Sequence, residues 1–237
     1  MYGYVDWPGT GRFALRRTGI GGAVFWEIQT GKPGCLFFRR RLRRSARAMR
    51  RCGVRRVVLP PDFPFADVLA GEGLTPLAEE NLRLGLLPRL LELACAERRI
   101  PVSAASAALY ARGESRSVRE AGRVLAEKCR YVQLHLVHDS GALEKELRYT
   151  YGVCASPAGQ APEIAVAFDA CPPGTAGIPV IRLGTDCEKQ PVGYELPPER
   201  LARLGGRPPD SQLVTALFEA GELPLEEIQV KFLTFFA

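Results

Sequence analysis

Apolar residues fall into two rhythms along this chain. Short runs rich in β-branched or small apolar residues predict strands: VFWEIQT (24–30), VRRVVLP (54–60), IPVSAASAALYA (100–111), RYVQLHLV (130–137), EIAVAFDA (163–170) and IPVIRLG (178–184). Between them, apolar positions recur at three- and four-residue steps and predict helices. The first helix carries Leu42, Ser45, Ala46, Met49 and Cys52 on one side, and Gly53 stands where a C-cap belongs. A long helical segment spans 77–99 and is broken or kinked at Pro88. Helices follow at 117–129, with Val118, Ala121, Leu125 and Cys129 on one face, and at 141–152, closing on Gly152. A last one covers 209–221, with Asp210 or Ser211 as N-cap and Gly221 at its end. The tail EIQVKFLTFFA is apolar and reads as an edge strand or a helix.

Strands alternating with helices of this length predict an α/β protein with a mostly parallel sheet flanked by helices. The best boundary lies near residue 99, giving an N-terminal α/β domain over 1–99 and a second α/β domain over 100–237, or one continuous domain. At 237 residues the chain suits either arrangement.

Composition narrows the class. No uncharged apolar run approaches the ~18 to 20 residues of a membrane span. The opening MYGYVDWPGTGRF carries Asp6 and Pro8 where a signal peptide needs an apolar stretch. Both point to the cytoplasm and away from a membrane partner. The seven cysteines form no C-x-x-C pair and no metal-ligand spacing, so reduced structural thiols are expected and no metal site is indicated. Charge is uneven. Ten arginines lie between Arg39 and Arg56 with no acid among them, and without those ten the net charge falls from +6 to −4. This basic helix suits either a solvated face or an acidic partner, nucleic acid included. Against nucleic acid, no aromatic residue is interleaved with the arginines after Phe38, and no known DNA- or RNA-binding motif is present. Arginine outnumbers lysine 27 to 5 across the whole chain, so a general arginine bias accounts for part of the patch.

Candidate chemistry concentrates between Pro101 and Asp139. There a buried strand leads through ARGESRSVREAG into a helix, and a second strand ends in HLVHD. This strand–turn–helix–strand–acid order resembles a Rossmann-type dinucleotide-binding unit, with Gly113 at the first position of its G-x-G-x-x-G turn. Ser115 and Val118 replace the second and third glycines, so the fingerprint is degenerate. The resemblance implies a Rossmann-like C-terminal half and a cofactor-type site at Gly113, Ser115, Ser117, His138 and Asp139. It implies a phosphorylated or nucleotide-like small molecule, with the cofactor itself unidentified. The alternative for Ser115 or Ser117 is simple helix capping. His135 and His138, the only histidines, stand three apart on a strand and point to opposite faces, which disfavours a shared metal.

Other features carry less. The cluster TGIGGAVF precedes its strand instead of following one, the wrong context for phosphate. The neighbouring acids Glu79-Glu80 and Glu226-Glu227 point different ways and read as solvated. The phenylalanine-rich tail suits docking on the core or a homodimer contact. No catalytic constellation emerges, and the other functional class left open is a binding or scaffold protein that uses the arginine helix on an acidic partner.

Overall fold

The structure, a computed structural model, describes residues 1–32, 34–61, 63–138, 141–152, 161–169, 177–184 and 192–233, with residues 10, 11 and 231–233 described by backbone alone. The chain opens with strand β1 (Tyr2–Gly11), then a hairpin of β2 (Ala14–Ile20) and β3 (Ala23–Gly31). Helix α1 (Phe38–Arg51) leads to β4 (Arg56–Val58), and α2 (Ala66–Ala70) leads to β5 (Thr75–Pro76). These strands form one sheet in the order β2-β3-β1-β4-β5, parallel except for the β2–β3 hairpin. Two residues connect that hairpin, since Ile20 pairs with Ala23. Gly21 and Gly22 both take positive φ there, which the tight two-residue turn demands. The glycine cluster of the sequence is therefore a hairpin turn.

The opening residues, which show no strand pattern, supply the middle strand of this sheet. Being flanked by parallel partners and buried on both faces, β1 has no reason to alternate polar with apolar. On one face Val5 and Ile28 meet the buried stripe of α1, which is Phe38, Leu42, Ala46 and Met49. Trp7, Phe13, Phe38, Phe63 and Phe65 add an edge-to-face aromatic cluster at that end. On the other face Tyr2 and Tyr4 pack around Phe25.

Helix α3 (Glu80–Gly85) and helix α4 (Leu87–Arg98) replace the single long helix, with Pro88 in the first turn of α4 where its missing N–H costs nothing. Next come a 3-10 turn (Val102–Ala104), β6 (Ser106–Gly113), α5 (Arg116–Lys128), β7 (Tyr131–His138) and α6 (Ala142–Tyr151). Two short strands follow, β8 (Ile164–Ala167) and β9 (Val180–Arg182). These four strands make a second, wholly parallel sheet in the order β7-β6-β8-β9. Helix α5 packs on β6 and β7, α4 on β8 and β9, and α6 against α5. Leu143 and Leu147 of α6 lie over Gly122 of α5.

The remaining elements are β10 (Val192–Glu195), α7 (Pro198–Arg203), α8 (Ser211–Glu219), a 3-10 turn (Leu225–Glu227) and β11 (Gln229–Leu233). The tail thus begins as a strand, paired with β10. Asp210 caps α8, its carboxylate accepting from the Leu213 N–H at 2.8 Å.

By their contacts the residues group into two units, 1–78 with 194–229 and 79–193 with 230–237. Helices α3 and α4 belong to the second unit, and α7 and α8 return to the first. In the first unit, Gln212 accepts a hydrogen bond from the Leu59 N–H at 2.8 Å and Tyr2 donates to Glu219 at 2.9 Å. The fully buried Glu27 accepts from Arg16 across the hairpin and from Arg207 of the returning segment, each at 2.6 Å. The chain is a mixed α/β protein with mostly parallel sheets flanked by helices. Two of the paired acids are not simply solvated. Glu79 bonds the buried Arg83 at 2.8 Å, and Glu227 bonds Arg200 at 2.5 and 2.9 Å. No helix among the described residues is long and apolar enough to cross a membrane.

Candidate functional site

In the second unit the strand order reverses between β6 and β8. The chain runs from β6 outward to β7, then returns to place β8 on the other side of β6. Loops at such a point diverge and leave a crevice beyond the carboxyl ends of the strands. A cleft of about 740 Å³ lies there, lined by the end of β6, the first turn of α5, the end of β7 and the residues just past β8 and β9.

Local sequence builds its floor. The alanine-rich β6 is almost wholly buried and emerges at Arg112 and Gly113. The Ser115 N–H then donates to the Gly113 carbonyl at 3.1 Å and turns the chain. Ser115 sits in extended conformation, and its hydroxyl accepts from the Val118 N–H at 3.2 Å, so it is the N-cap of α5. The capping alternative is therefore realised at Ser115. It engages one amide of the first turn and leaves those of Arg116 and Ser117, which have no acceptor among the described residues, facing the cleft. Glu114 turns its carboxylate to Arg119 at 2.7 Å and to the Leu143 N–H at 3.3 Å, joining α5 to the start of α6.

Of the residues singled out from sequence, Gly113, Ser115, Ser117 and His138 all line this cleft, while Asp139 lies outside the described residues. His138 pairs with Gly113 in the sheet register. His135 is held elsewhere: its ring stacks on Tyr110 at 4.5 Å and 8°, and burial there lowers its pKa below the usual histidine value. Among the described residues no three His, Cys, Asp or Glu groups gather as a metal site would need.

Several lining residues were not singled out from sequence: Glu80, Arg112, Asp169 and Gly184. Asp169 receives the Arg112 N–H at 2.5 Å, tying the ends of β6 and β8 together. Its signal was available, an acid closing the buried run EIAVAF as Asp139 closes its own strand. Arg116 is exposed at the rim, and the exposed Arg112 guanidinium lies 3.8 Å from the Asp169 carboxylate.

The four described cysteines, Cys35, Cys52, Cys95 and Cys129, do not line this cleft. Burial, with smaller contributions from Glu163, pushes the Cys95 thiol up to about 11 and the Cys129 thiol, which also feels Cys95, up to about 12. Both stay protonated in the fold while unfolded thiols ionise near pH ~8.5. The stability they add is complete below that pH and drains away between there and pH 11 to 12. Unfolding free energy measured by urea from pH 8 to 11 is expected to fall by up to about 1.4 kcal/mol per pH unit for each thiol. Cys95→Ala with Cys129→Ala should flatten that fall; an equally steep fall in the double variant refutes the assignment.

No protein-family model matches the chain, and neither does any curated protein. Among solved structures it superposes loosely on two dehydrogenases. One is L-tryptophan dehydrogenase from Nostoc punctiforme, 11% identical with a TM-score of 0.35, over 70% of this chain and 52% of that one. The other is the hetero-hexameric glutamate dehydrogenase from Thermus thermophilus in its leucine-bound form, 15% identical with a TM-score of 0.33, over 87% of this chain and 62% of that one. The chain thus spans between half and two thirds of the length of these neighbours.

Proposed function

We propose that the cleft above β6 and β8 binds a phosphorylated or nucleotide-like small molecule. The observation that carries this reading is the first turn of α5, which opens into the cleft with two unused amides at the point where the strand order reverses. A phosphate seated there accepts from the Arg116 and Ser117 N–H groups and meets the positive end of the helix. The Ser117 hydroxyl adds a donor, and Arg112 and Arg116 supply charge from the rim. Asp169, and Asp139 next to His138 in the chain, offer carboxylates to hydroxyl groups of the same ligand. The volume is in the ~300–1,000 Å³ range of small-molecule sites.

Gly113 provides the test. A Cβ built on it meets nothing nearer than the His138 carbonyl at 3.6 Å, so the fold itself does not require a glycine there. Gly113→Val adds two methyl groups beyond that Cβ and narrows the floor of the cleft. Thermal-shift and calorimetric titration with NAD, NADP, S-adenosylmethionine, ATP and AMP is expected to find a ligand that stabilises the chain. At a hundredfold excess over Kd the gain is about 2.7 kcal/mol. G113V should keep a cooperative melt in the absence of ligand and lose at least tenfold in affinity. Silence across the panel, or undiminished binding by G113V, overturns the reading.

A further inference from the structure

The ten arginines between Arg39 and Arg56 do not share one environment. Acids meet them on one flank of α1 only: Arg39 bonds Asp67, while Arg43 at 3.5 Å and Arg47 at 2.7 Å share the single carboxylate of Glu72. Arg50 donates to the Val54 carbonyl, and Arg56 pairs with Glu219 at 2.6 Å. Arg40, Arg41, Arg44 and Arg51 are exposed and have no such partner among the described residues. Because Phe38, Leu42, Ala46 and Met49 face the sheet, the row Arg40, Arg44, Arg47 and Arg51 runs along the opposite side of the helix. Successive members stand about 4.5 to 6 Å apart along the axis. Their side chains, with Arg41, line a shallow open groove along the outward face of the helix as far as Phe37.

Phe37 is the second observation. It is a bulky residue in the left-handed region, φ 60° and ψ 26°, where non-glycine residues are uncommon. Burial does not account for this conformation, since its side chain is 60% exposed. The result is an aromatic ring presented at the head of a cationic groove. Backbone strain kept at an exposed position is a pointer to function. The sequence pattern contained no aromatic among the arginines; the fold puts one at the end of their row.

We propose that this groove binds a single strand of nucleic acid, its phosphates along Arg40, Arg41, Arg44 and Arg51 and a base stacked on Phe37. A positive groove that tracks the backbone, with an aromatic platform, is how sequence-tolerant single-strand sites are built. The exposed Phe37 ring favours a single strand over a duplex, because only an unpaired base is free to stack on it. An anionic bilayer is flat and cannot enter a groove, although the exposed Leu36 beside Phe37 would favour it.

The proposal is independent of the cleft ligand and is tested on the full chain by fluorescence anisotropy. Probes are a labelled 20-nucleotide oligo-dT and oligo-U, a 20-base-pair duplex, and vesicles containing phosphatidylserine. With four phosphates neutralised, log affinity is expected to fall against log salt with a slope of about −3, roughly fiftyfold between 50 and 200 mM. The triple variant R40E/R44E/R51E should lose that binding while melting unchanged, because all three residues are exposed and none of them bonds the fold. Phe37→Ala should weaken binding by about 5- to 150-fold and keep the salt slope, since stacking is not ionic. A duplex bound as tightly as the single strand, capture by vesicles alone, full affinity in the triple variant, or full affinity in F37A overturns it.

Discussion

Phe38→Ala is expected to lower the stability of the first unit by about 3 to 5 kcal/mol, against a typical total of about 5 to 15. Phe38 begins α1 and is only 6% exposed. Its ring lies 5.5 Å from Trp7, 5.0 Å from Phe13 and 4.7 Å from Phe65, so truncation opens a cavity that three aromatic partners cannot all collapse into. The cost is therefore a transfer loss plus a cavity penalty. Phe37→Ala, one residue earlier, removes an exposed ring and should change stability by less than about 0.5 kcal/mol. The only two tryptophans, Trp7 and Trp26, belong to this unit, so their fluorescence in urea follows its unfolding. Equal midpoints for F38A and the parent would show that the aromatic cluster does not hold the helix in place.

Gly184→Ala is expected to be worse still for the second unit. A Cβ at this position would stand 1.6 Å from the Phe168 carbonyl oxygen and 2.6 Å from its carbon. Nothing flexible is in the way; the obstacle is main chain. Relieving the clash means separating the ends of β8 and β9, where the Leu183 N–H donates to the Ala167 carbonyl at 2.8 Å. It also disturbs Phe168, whose own N–H donates to the Tyr110 carbonyl of β6 at 3.0 Å. A loss of about 4 kcal/mol or more is the expected size of such a backbone displacement. Hydrogen exchange at the Ala165–Ala167 amides measures it, and parental protection in G184A would refute it. Gly113→Ala, whose nearest neighbour is 3.6 Å away, is the matched control and should fold normally.

These two glycines show what could and could not be read in one dimension. The strand, turn and capped helix around Gly113 are consecutive, so periodicity and turn chemistry reveal them, and Ser115 caps as its type suggests. The importance of Gly184 arises only once β9 lies beside β8, a pairing that depends on strand order. Asp169 and Glu80 reach the cleft for the same non-local reason. In the first unit the buried stripe of α1 follows directly from its three- and four-residue spacing. Strand β1 was illegible because the middle position of a parallel sheet has two buried faces and no alternation. Its Gly3 makes sense only from packing, since a Cβ there would come 2.5 Å from the Met49 sulfur.

The discontinuous make-up of the first unit bears on how the chain comes to exist at all. Residues 79–193 leave the ribosome between its two parts. At about 5 to 20 residues per second, those 115 residues take roughly 6 to 23 s to synthesise. For that interval the nascent first sheet has α1 and α2 but not the 194–229 segment that later supplies Gln212 to Leu59, Arg207 to Glu27 and Glu219 to Tyr2. Tyr2, Tyr4 and Phe25 wait on a half-covered sheet while the strands of the parallel four-stranded sheet are made. Birth order thus leaves the N-terminal sheet waiting longest for its missing half, which makes it the longer-lived target for chaperones.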